Sequence, residues 1–231
     1  MSYKNKTVWI IGASSGIGKA LATELSKRGA KLVLSARSKD KLEKLSDDLK
    51  GDHQVIDFDA SNEKAVDAAV KKAGDNNKHI DSIIMLAAIY DPMPTDELDL
   101  KKTKKIIDIN LGGTFNLVHY ALPLLKAQGG GQLALCGSVA GYSGLPKGQP
   151  YSATKAAIIN LAESMRAELG PEGIDVRVIN PGFVKTQLTD KNDFEMPFII
   201  EPGEAANSIA DGLQSSAFDI NFPKKLTWPL K

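Results

Sequence analysis

The feature that most constrains this chain is an alternation: short, nearly continuous apolar runs, each followed by a longer amphipathic stretch. Thr7-Val-Trp-Ile-Ile11 leads into a helical pattern that carries Ile17, Leu21 and Leu25 and stops at Gly29. Lys31-Leu-Val-Leu-Ser35 precedes a charged helix expected from about Lys39 to Lys50, and Gln54-Val-Ile-Asp-Phe58 precedes another from about Asn62 to Gly74. Further strands are expected at Ser82 to Leu86, Gln132 to Gly137 and Asp175 to Ile179, with helical stretches at Leu98 to Gln128 and Tyr151 to Leu169. Strands that are apolar along their whole length must be covered on both faces, and a helix between successive strands carries the chain back along the sheet.

The expectation is therefore an α/β chain: one doubly wound, Rossmann-type domain over 1–231, with a mainly parallel sheet and helices on both faces. A length of 231 residues, 42% hydrophobic and 25% charged, suits one such sheet with a large core. In such folds ligands bind beyond the carboxyl ends of the strands. Gly129-Gly-Gly131 reads as a linker, and the weakly periodic segment at about 183–200 as a substrate flap or irregular helical insert.

Several functional classes are disfavoured. With 29 basic and 28 acidic residues the net charge is +1, too small a field to gather nucleic acid or an anionic membrane. The longest apolar run, Ile83 to Tyr90, falls short of the roughly 20 residues that span a bilayer. The N-terminus shows no secretory pattern, so a cytoplasmic location is expected. Cys136, the single cysteine, sits in an apolar run and reads as a packed core thiol. The end, Leu226-Thr-Trp-Pro-Leu230, reads as a short ordered tail, the alternative being a contact with a membrane or partner. His53, His79 and His119 have no companions at metal-ligand spacing, so no metal is expected. The Lys101-Lys-Thr-Lys-Lys105 cluster reads as a solvated helix face.

Gly12-Ala-Ser-Ser-Gly16-Ile-Gly18 joins the first strand to the first helix. Glycines here permit positive φ and close backbone approach, while free N–H groups and the positive end of the helix dipole favour a pyrophosphate. A tight turn is the alternative, and the position at the first βα junction favours a nucleotide. At the end of the second strand, where a carboxylate would accept from a ribose 2′-hydroxyl, the chain has Ser35-Ala-Arg37-Ser38. Arg37 can pair with a 2′-phosphate, so NADP(H) is favoured over NAD(H); a solvated surface arginine is the alternative. Asp59 and Ala60 are expected near the adenine, although Asp59 can equally cap the next helix.

Tyr151-Ser-Ala-Thr-Lys155 opens a helix and puts a phenol and an ammonium on one face. A free tyrosine has a pKa near 10, so only about one in a thousand is ionised at pH 7. A cation at ~4 Å in an effective dielectric of ~20 contributes on the order of 4 kcal/mol, about 3 pKa units. That shift is expected to bring Tyr151 near neutrality as an acid/base. Ser138 follows the fifth strand and can polarise a substrate oxygen, or it is a turn serine. Gly137-Ser-Val-Ala-Gly141 is not a hydrolase nucleophile elbow. Asn110 lies in a helical stretch, where asparagine is a poor helix former; it serves a local hydrogen-bonding role or is simply exposed.

With these residues in view, the chain resembles the short-chain dehydrogenase/reductase family from about Lys6 to Ile209, in its NADP-preferring Tyr-x-x-x-Lys form. The family's glycine motif matches at Gly12, Gly16 and Gly18, and its Asn-Ser-Tyr-Lys set at Asn110, Ser138, Tyr151 and Lys155. Pro181-Gly-Phe-Val184-Lys-Thr186 matches its Pro-Gly-x-Val-x-Thr segment. The resemblance implies hydride transfer between NADP(H) and a carbonyl or alcohol substrate. Tyr151 would move the proton, Ser138 orient the carbonyl, Lys155 shift the phenol and hold the nicotinamide ribose, and Asn110 support a water-mediated proton route. It also implies cofactor contacts from Ser14, Ser15, Ile17, Ala87, Pro181, Gly182, Val184 and Thr186, and a homodimer or homotetramer paired through the helices that contain Asn110 and Tyr151. Two departures stand out: Ile11 replaces a usual threonine, and Met85-Leu-Ala-Ala88 replaces Asn-Asn-Ala-Gly. They put local hydrogen bonding and cofactor affinity in question. Two further readings are a cofactor-binding scaffold without turnover, and an epimerase or dehydratase that retains its cofactor.

Overall fold

In the computed structural model, which describes residues 2–230, seven strands form one sheet in the order β3-β2-β1-β4-β5-β6-β7. These are β1 (Thr7–Ile11), β2 (Lys31–Ser35), β3 (Gln54–Val55), β4 (Ser82–Met85), β5 (Gly131–Cys136), β6 (Ile174–Pro181) and β7 (Asp219–Phe222). All pairs are parallel. The order reverses between β1 and β4, and β1 pairs with β2 on one side (Thr7 with Lys31) and β4 on the other (Val8 with Ser82).

Alternation along the strands explains why they are apolar throughout. Trp9, Ile11, Val33, Ile83 and Leu133 point to one face and Val8, Ile10, Leu32, Leu34, Ile84 and Ala134 to the other, each set in its own core. The first face is covered by α3 (Glu63–Asn76), α5 (Gly113–Ala127) and α6 (Tyr151–Leu169), through stripes such as Val66, Ala69, Val70 and Ala73. The second is covered by α1 (Gly16–Lys27), α2 (Lys39–Asp48) and α7 (Pro202–Leu213), with Leu21 and Leu25 meeting Ala206 and Ile209. The buried Trp9 indole donates to Ser35 Oγ at 2.9 Å, so its polar atom does not go unpaired in the core.

Three regions depart from the sequence expectations. The helix expected over Leu98 to Gln128 is broken into α4 (Leu100–Ile107), a π-helical turn (Asp108–Gly112) and α5. Asp99 caps α4 by accepting from the N–H groups of Lys101 and Lys102, and the widened turn points Asn110 inward to a neighbouring loop. β3 is only two residues long, although Ile56 and Phe58 continue to donate to Leu34 and Ala36 of the β2 side. The pattern at the C-terminal end of the chain was too short to read: α7, β7 and α8 (Lys224–Thr227) follow the irregular segment at 183–200.

That segment is tied at its base by a parallel bridge between Val184 and Ile200 and by Lys185 N–H donating to Ile200 O at 3.0 Å. It carries one 3-10 turn, Thr189–Lys191. In the tail, Leu226 and Thr227 are buried and Trp228 is 83% exposed. No helix among the described residues is long and apolar enough to cross a membrane.

Candidate active site

The carboxyl ends of the central strands open into a cleft of about 700 Å³. Its floor at one end is the Gly12–Gly18 turn, where the chain leaves β1 and enters α1. Gly12 has φ +99°, and a Cβ there would lie 2.7 Å from Ala87 N on the neighbouring strand end. A Cβ on Gly18 would lie 2.1 Å from Gly12 O, so the turn closes on the helix only without a side chain. Ser15 precedes α1 with extended backbone and makes no side-chain cap bond, so it leaves the first-turn N–H groups to other acceptors.

Leu86 replaces a polar family residue, but its N–H donates to Ile11 O at 2.8 Å, so main chain holds β1 and the end of β4 together here. Met85 is buried in the core, and Leu86 lines the cleft.

Arg37 stands exposed at the rim beyond β2, beside Ser38 and Lys41, and makes no ion pair among the described residues. Asp59 and Ala60 line the same end. Burial pushes the Asp59 carboxyl up, but hydrogen bonds from Ser61 and the charges of Arg37 and Lys105 outweigh this and leave it below the usual carboxylate range. Asp59 accepts from Ser61 N–H and Oγ, whereas the cap of α3 is Asn62. The helix-cap alternative for Asp59 is thereby removed.

Ser138, Tyr151 and Lys155 converge at the other end. Ser138 sits just past β5, with Oγ accepting from Ala140 N–H at 3.1 Å. Tyr151 opens α6, and Lys155, one turn on, is buried with 2% exposure. Pro181, at the end of β6, and Gly182, Val184 and Thr186 just beyond it line the wall. All four groups face the cleft that contains the glycine turn.

The electrostatics differ from the sequence expectation. The Lys155 ammonium lies 5.4 Å from the centre of the Tyr151 ring and donates to Cys136 O at 2.8 Å. Burial, reinforced by Cys136 and Tyr90, pushes the phenol above the usual tyrosine range, against a hydrogen bond with Ser138 that works downward. Burial also pulls the ammonium below the usual lysine range, with Cys136 opposing. The large downward shift expected from the i, i+4 cation is absent, because the amine is turned toward a carbonyl and both groups are desolvated.

Cys136 also departs from the sequence expectation. It is the last residue of β5, is only partly buried and lines the cleft. Burial of its sulfur raises the thiol, and the charge of Lys155 opposes that without reversing it. Its apolar sequence context indicated a core thiol, but the position at a strand end brings it to the site.

Among the sequence-predicted residues, Asn110 is set behind the cleft. It is 1% exposed, and its Oδ1 accepts from Ile89 N–H at 2.8 Å while Nδ2 donates to Ile89 O at 2.9 Å. Its carbonyl accepts from Thr114 Oγ1 at 2.7 Å. The side chain therefore clamps the loop that follows β4. Other lining residues carried no sequence signal: Phe58, Ile89 and Ile109 are ordinary residues whose role comes only from placement at strand ends and loops, whereas Leu188 and Thr189 come from the irregular segment at 183–200.

The residues present fit a dinucleotide. The glycine turn leaves room where any Cβ would collide, and the buried Lys155 ammonium has three donors but a single protein acceptor among the described residues. No group of three His, Cys, Asp or Glu is arranged to hold a metal among the described residues.

Comparisons with known proteins agree with this geometry. The short chain dehydrogenase family model matches residues 6–196. An uncharacterized oxidoreductase of Staphylococcus epidermidis is 31% identical over 219 residues, covering 94% of this chain and 95% of that protein. One of Listeria monocytogenes is 37% identical over 199 residues, covering 82% of this chain and 79% of its own. A crystal structure of a short chain dehydrogenase from Burkholderia cenocepacia in complex with NADP superposes with a TM-score of 0.85 at 25% identity, covering 96% of this chain and 90% of that one.

Proposed function

The chain belongs to the short-chain dehydrogenase family and is an oxidoreductase, and from that premise we propose that it moves hydride between NADP(H) and a carbonyl or alcohol, with Tyr151 handling the proton. The observation that carries this is the convergence of Ser138, Tyr151 and a buried Lys155 on the cleft floored by the Gly12–Gly18 turn. Bound NADP(H) supplies or accepts the hydride.

The chain's own residues do the rest. A phenol held above its usual range is fully protonated at neutral pH, which suits Tyr151 to give its proton to the oxygen of a carbonyl undergoing reduction. Ser138, within hydrogen-bonding reach of that phenol, holds the same oxygen and favours the charge that develops on it. Lys155, which lines the cleft and has a single protein acceptor among the described residues, would hold the ribose next to the nicotinamide. The first-turn N–H groups of α1 and the glycine turn would hold the pyrophosphate. Asn110 contributes by fixing Ile89, which lines the cleft.

Preference for NADP(H) rests on Arg37 and the lack of a carboxylate at the end of β2. The reading extends to a homo-oligomer paired through the helices around Asn110 and Tyr151, supported by the exposed Leu100 and Phe115. The test is oxidation of NADPH and NADH, side by side, with a fixed panel: an aliphatic aldehyde, an aromatic ketone, an α-diketone and a β-keto ester. Substrate-dependent oxidation with NADPH saturating at about one tenth of the NADH concentration is expected. Cofactor binding with no oxidation by any panel member would count against the enzyme reading; equal saturation would defeat the Arg37 argument alone.

A further inference from the structure

Tyr90 belongs to none of the motifs above, yet three parts of the site meet on it. Its ring packs edge-to-face on Tyr151, with centroids 5.0 Å apart and planes at 63°. Its hydroxyl donates to Asn192 Oδ1 at 3.0 Å, and its carbonyl accepts from Lys191 Nζ at 2.6 Å. Both partners lie in the irregular segment between β6 and α7, at the end of the Thr189–Lys191 turn. One residue upstream, Asn110 clamps both backbone polar groups of Ile89. The loop that presents Tyr90 is thus fixed from behind, and the tyrosine bridges from it to the segment that covers the substrate side.

The two ends of this side chain have separable tasks. The ring packs on Tyr151, whereas the hydroxyl reaches Asn192 and adds only the last of the influences that raise the Tyr151 phenol. A phenylalanine keeps the first contact and loses the second. An aromatic edge restricts where the neighbouring ring can swing, and a proton donor misplaced by about 1 Å can lose about a hundredfold in rate. The flap has a parallel anchor in the ion pair of Lys147 with Asp193, so it does not depend on Tyr90 for its overall path.

Resting on the reading of Tyr151 as proton donor, we propose that Tyr90 is a positioning residue: its ring holds the Tyr151 phenol toward the substrate oxygen, and its hydroxyl makes that support depend on the covering segment being docked. Substrates are then selected partly by whether they allow Asn192 to stay against Tyr90. Tyr90 touches neither hydride donor nor reacting atoms in this scheme.

The experiment compares Tyr90→Leu, Tyr90→Phe and Asn192→Ala in the full chain with NADPH and the best panel carbonyl. Tyr90→Leu is expected to lower kcat about 10- to 100-fold with NADPH affinity unchanged. Tyr90→Phe is expected to recover kcat to within about twofold and keep a KM raised about 2- to 10-fold, the span of one ordinary hydrogen bond. Asn192→Ala should reproduce Tyr90→Phe. A readout that needs neither substrate nor the Leu variant is hydrogen exchange at the amides of Asp190 and Asn192, which donate to Thr186 O and Thr189 O. Their exchange should rise about 2- to 10-fold in Tyr90→Phe and Asn192→Ala, with α1 unchanged.

The proposal is overturned if Tyr90→Leu keeps wild-type kcat, if Tyr90→Phe is as slow as Tyr90→Leu, or if those amides exchange at the wild-type rate. Tyr151→Phe is run beside them: if it turns over normally, the proton-donor reading itself fails and takes this proposal with it. If Tyr151→Phe is inactive and Tyr90→Leu is not, only the role of Tyr90 is lost.

Discussion

Around Gly12–Gly18 the cleft is shaped by main chain, whereas around Tyr151 it is shaped by side chains. At the first end a Cβ on Gly12 or Gly18 would collide with backbone atoms at 2.7 and 2.1 Å. Backbone pairing from Leu86 to Ile11 holds the two strands there, whatever side chains they carry. At the second end Asn110 is bonded to Ile89, Tyr90 to Asn192, and Lys155 to Cys136 O, each contact made through at least one side chain. The difference implies that the dinucleotide end should be more sensitive to added atoms than to a change of side-chain polarity. The catalytic end behaves the other way round: its shape follows residue identity and can be retuned one contact at a time.

The largest expected effect on cofactor binding attacks the backbone end. Gly18→Ala has to displace Gly12 O from its present position, and overpacking of this kind costs about 1–3 kcal/mol or more. NADPH affinity is expected to fall about 10- to 100-fold by fluorescence titration. An alanine variant that binds as the parent does would mean that the turn is not the pyrophosphate cradle.

Next comes a side-chain clamp. Asn110→Ala leaves the N–H and C=O of Ile89 without their partners, at a cost of about 1–3 kcal/mol. For a chain of this size that corresponds to a fall of roughly 2–12 °C in Tm, with turnover reduced more than NADPH binding. If binding suffers and turnover does not, the contrast between the two ends is drawn in the wrong place.

Arg37→Ala is expected to act more narrowly, since the residue is exposed and makes no ion pair among the described residues. NADPH affinity should fall about tenfold and NADH affinity should not change, measured by parallel titrations. An equal fall for both cofactors would show that Arg37 does not read the 2′-phosphate.

The smallest effect concerns His53, remote from both ends. Its Nδ1 accepts from Leu32 N–H at 3.2 Å, so the proton sits on Nε2, which is 3.1 Å from Lys50 O. Burial lowers its pKa below the usual histidine value, while Lys50 and Asp52 oppose. The folded protein therefore binds this proton less readily than the unfolded chain. The stabilising contribution is complete above the unfolded pKa, about 6.5, and is lost as pH falls through the folded value. Denaturant midpoints should drop between pH 7 and 5.5 more in the parent than in His53→Gln, with the cofactor site unaffected. Identical slopes would remove His53 from the account.

The contrast also explains how much was legible in the sequence. Apolar runs and glycines report backbone requirements directly, so the doubly wound sheet, the glycine turn and the residues at strand ends could be read from pattern. Ser138, Tyr151, Lys155 and the Pro181–Thr186 wall are brought to one cleft as their motif positions imply. What failed depends on where single side chains turn. Lys155 reaches Cys136 O and does not lower the Tyr151 phenol; spacing shows a shared helix face but not the rotamer. Cys136 looked like core because its neighbours are core, yet the strand ends at that residue. The π-helical turn carries Asn110 to a contact with Ile89, 21 residues away, and no local periodicity encodes that contact. α7 and β7 were unread because Gly203 and Gly212 blur a helix whose apolar stripe is mostly alanine, and because Asp219-Ile-Asn-Phe222 is short and half polar. Tyr90 lies in a loop and gave no pattern at all.

The most direct test of the account separates holding the cofactor from turning it over. Tyr151→Phe removes one oxygen from the catalytic end and touches nothing at the glycine turn. NADPH should bind within about twofold of the parent, while substrate-dependent oxidation falls by about 10²–10⁴, the usual worth of a positioned acid/base. Unchanged velocity in this variant would contradict the account outright, as would a loss of NADPH binding large enough to explain the lost turnover.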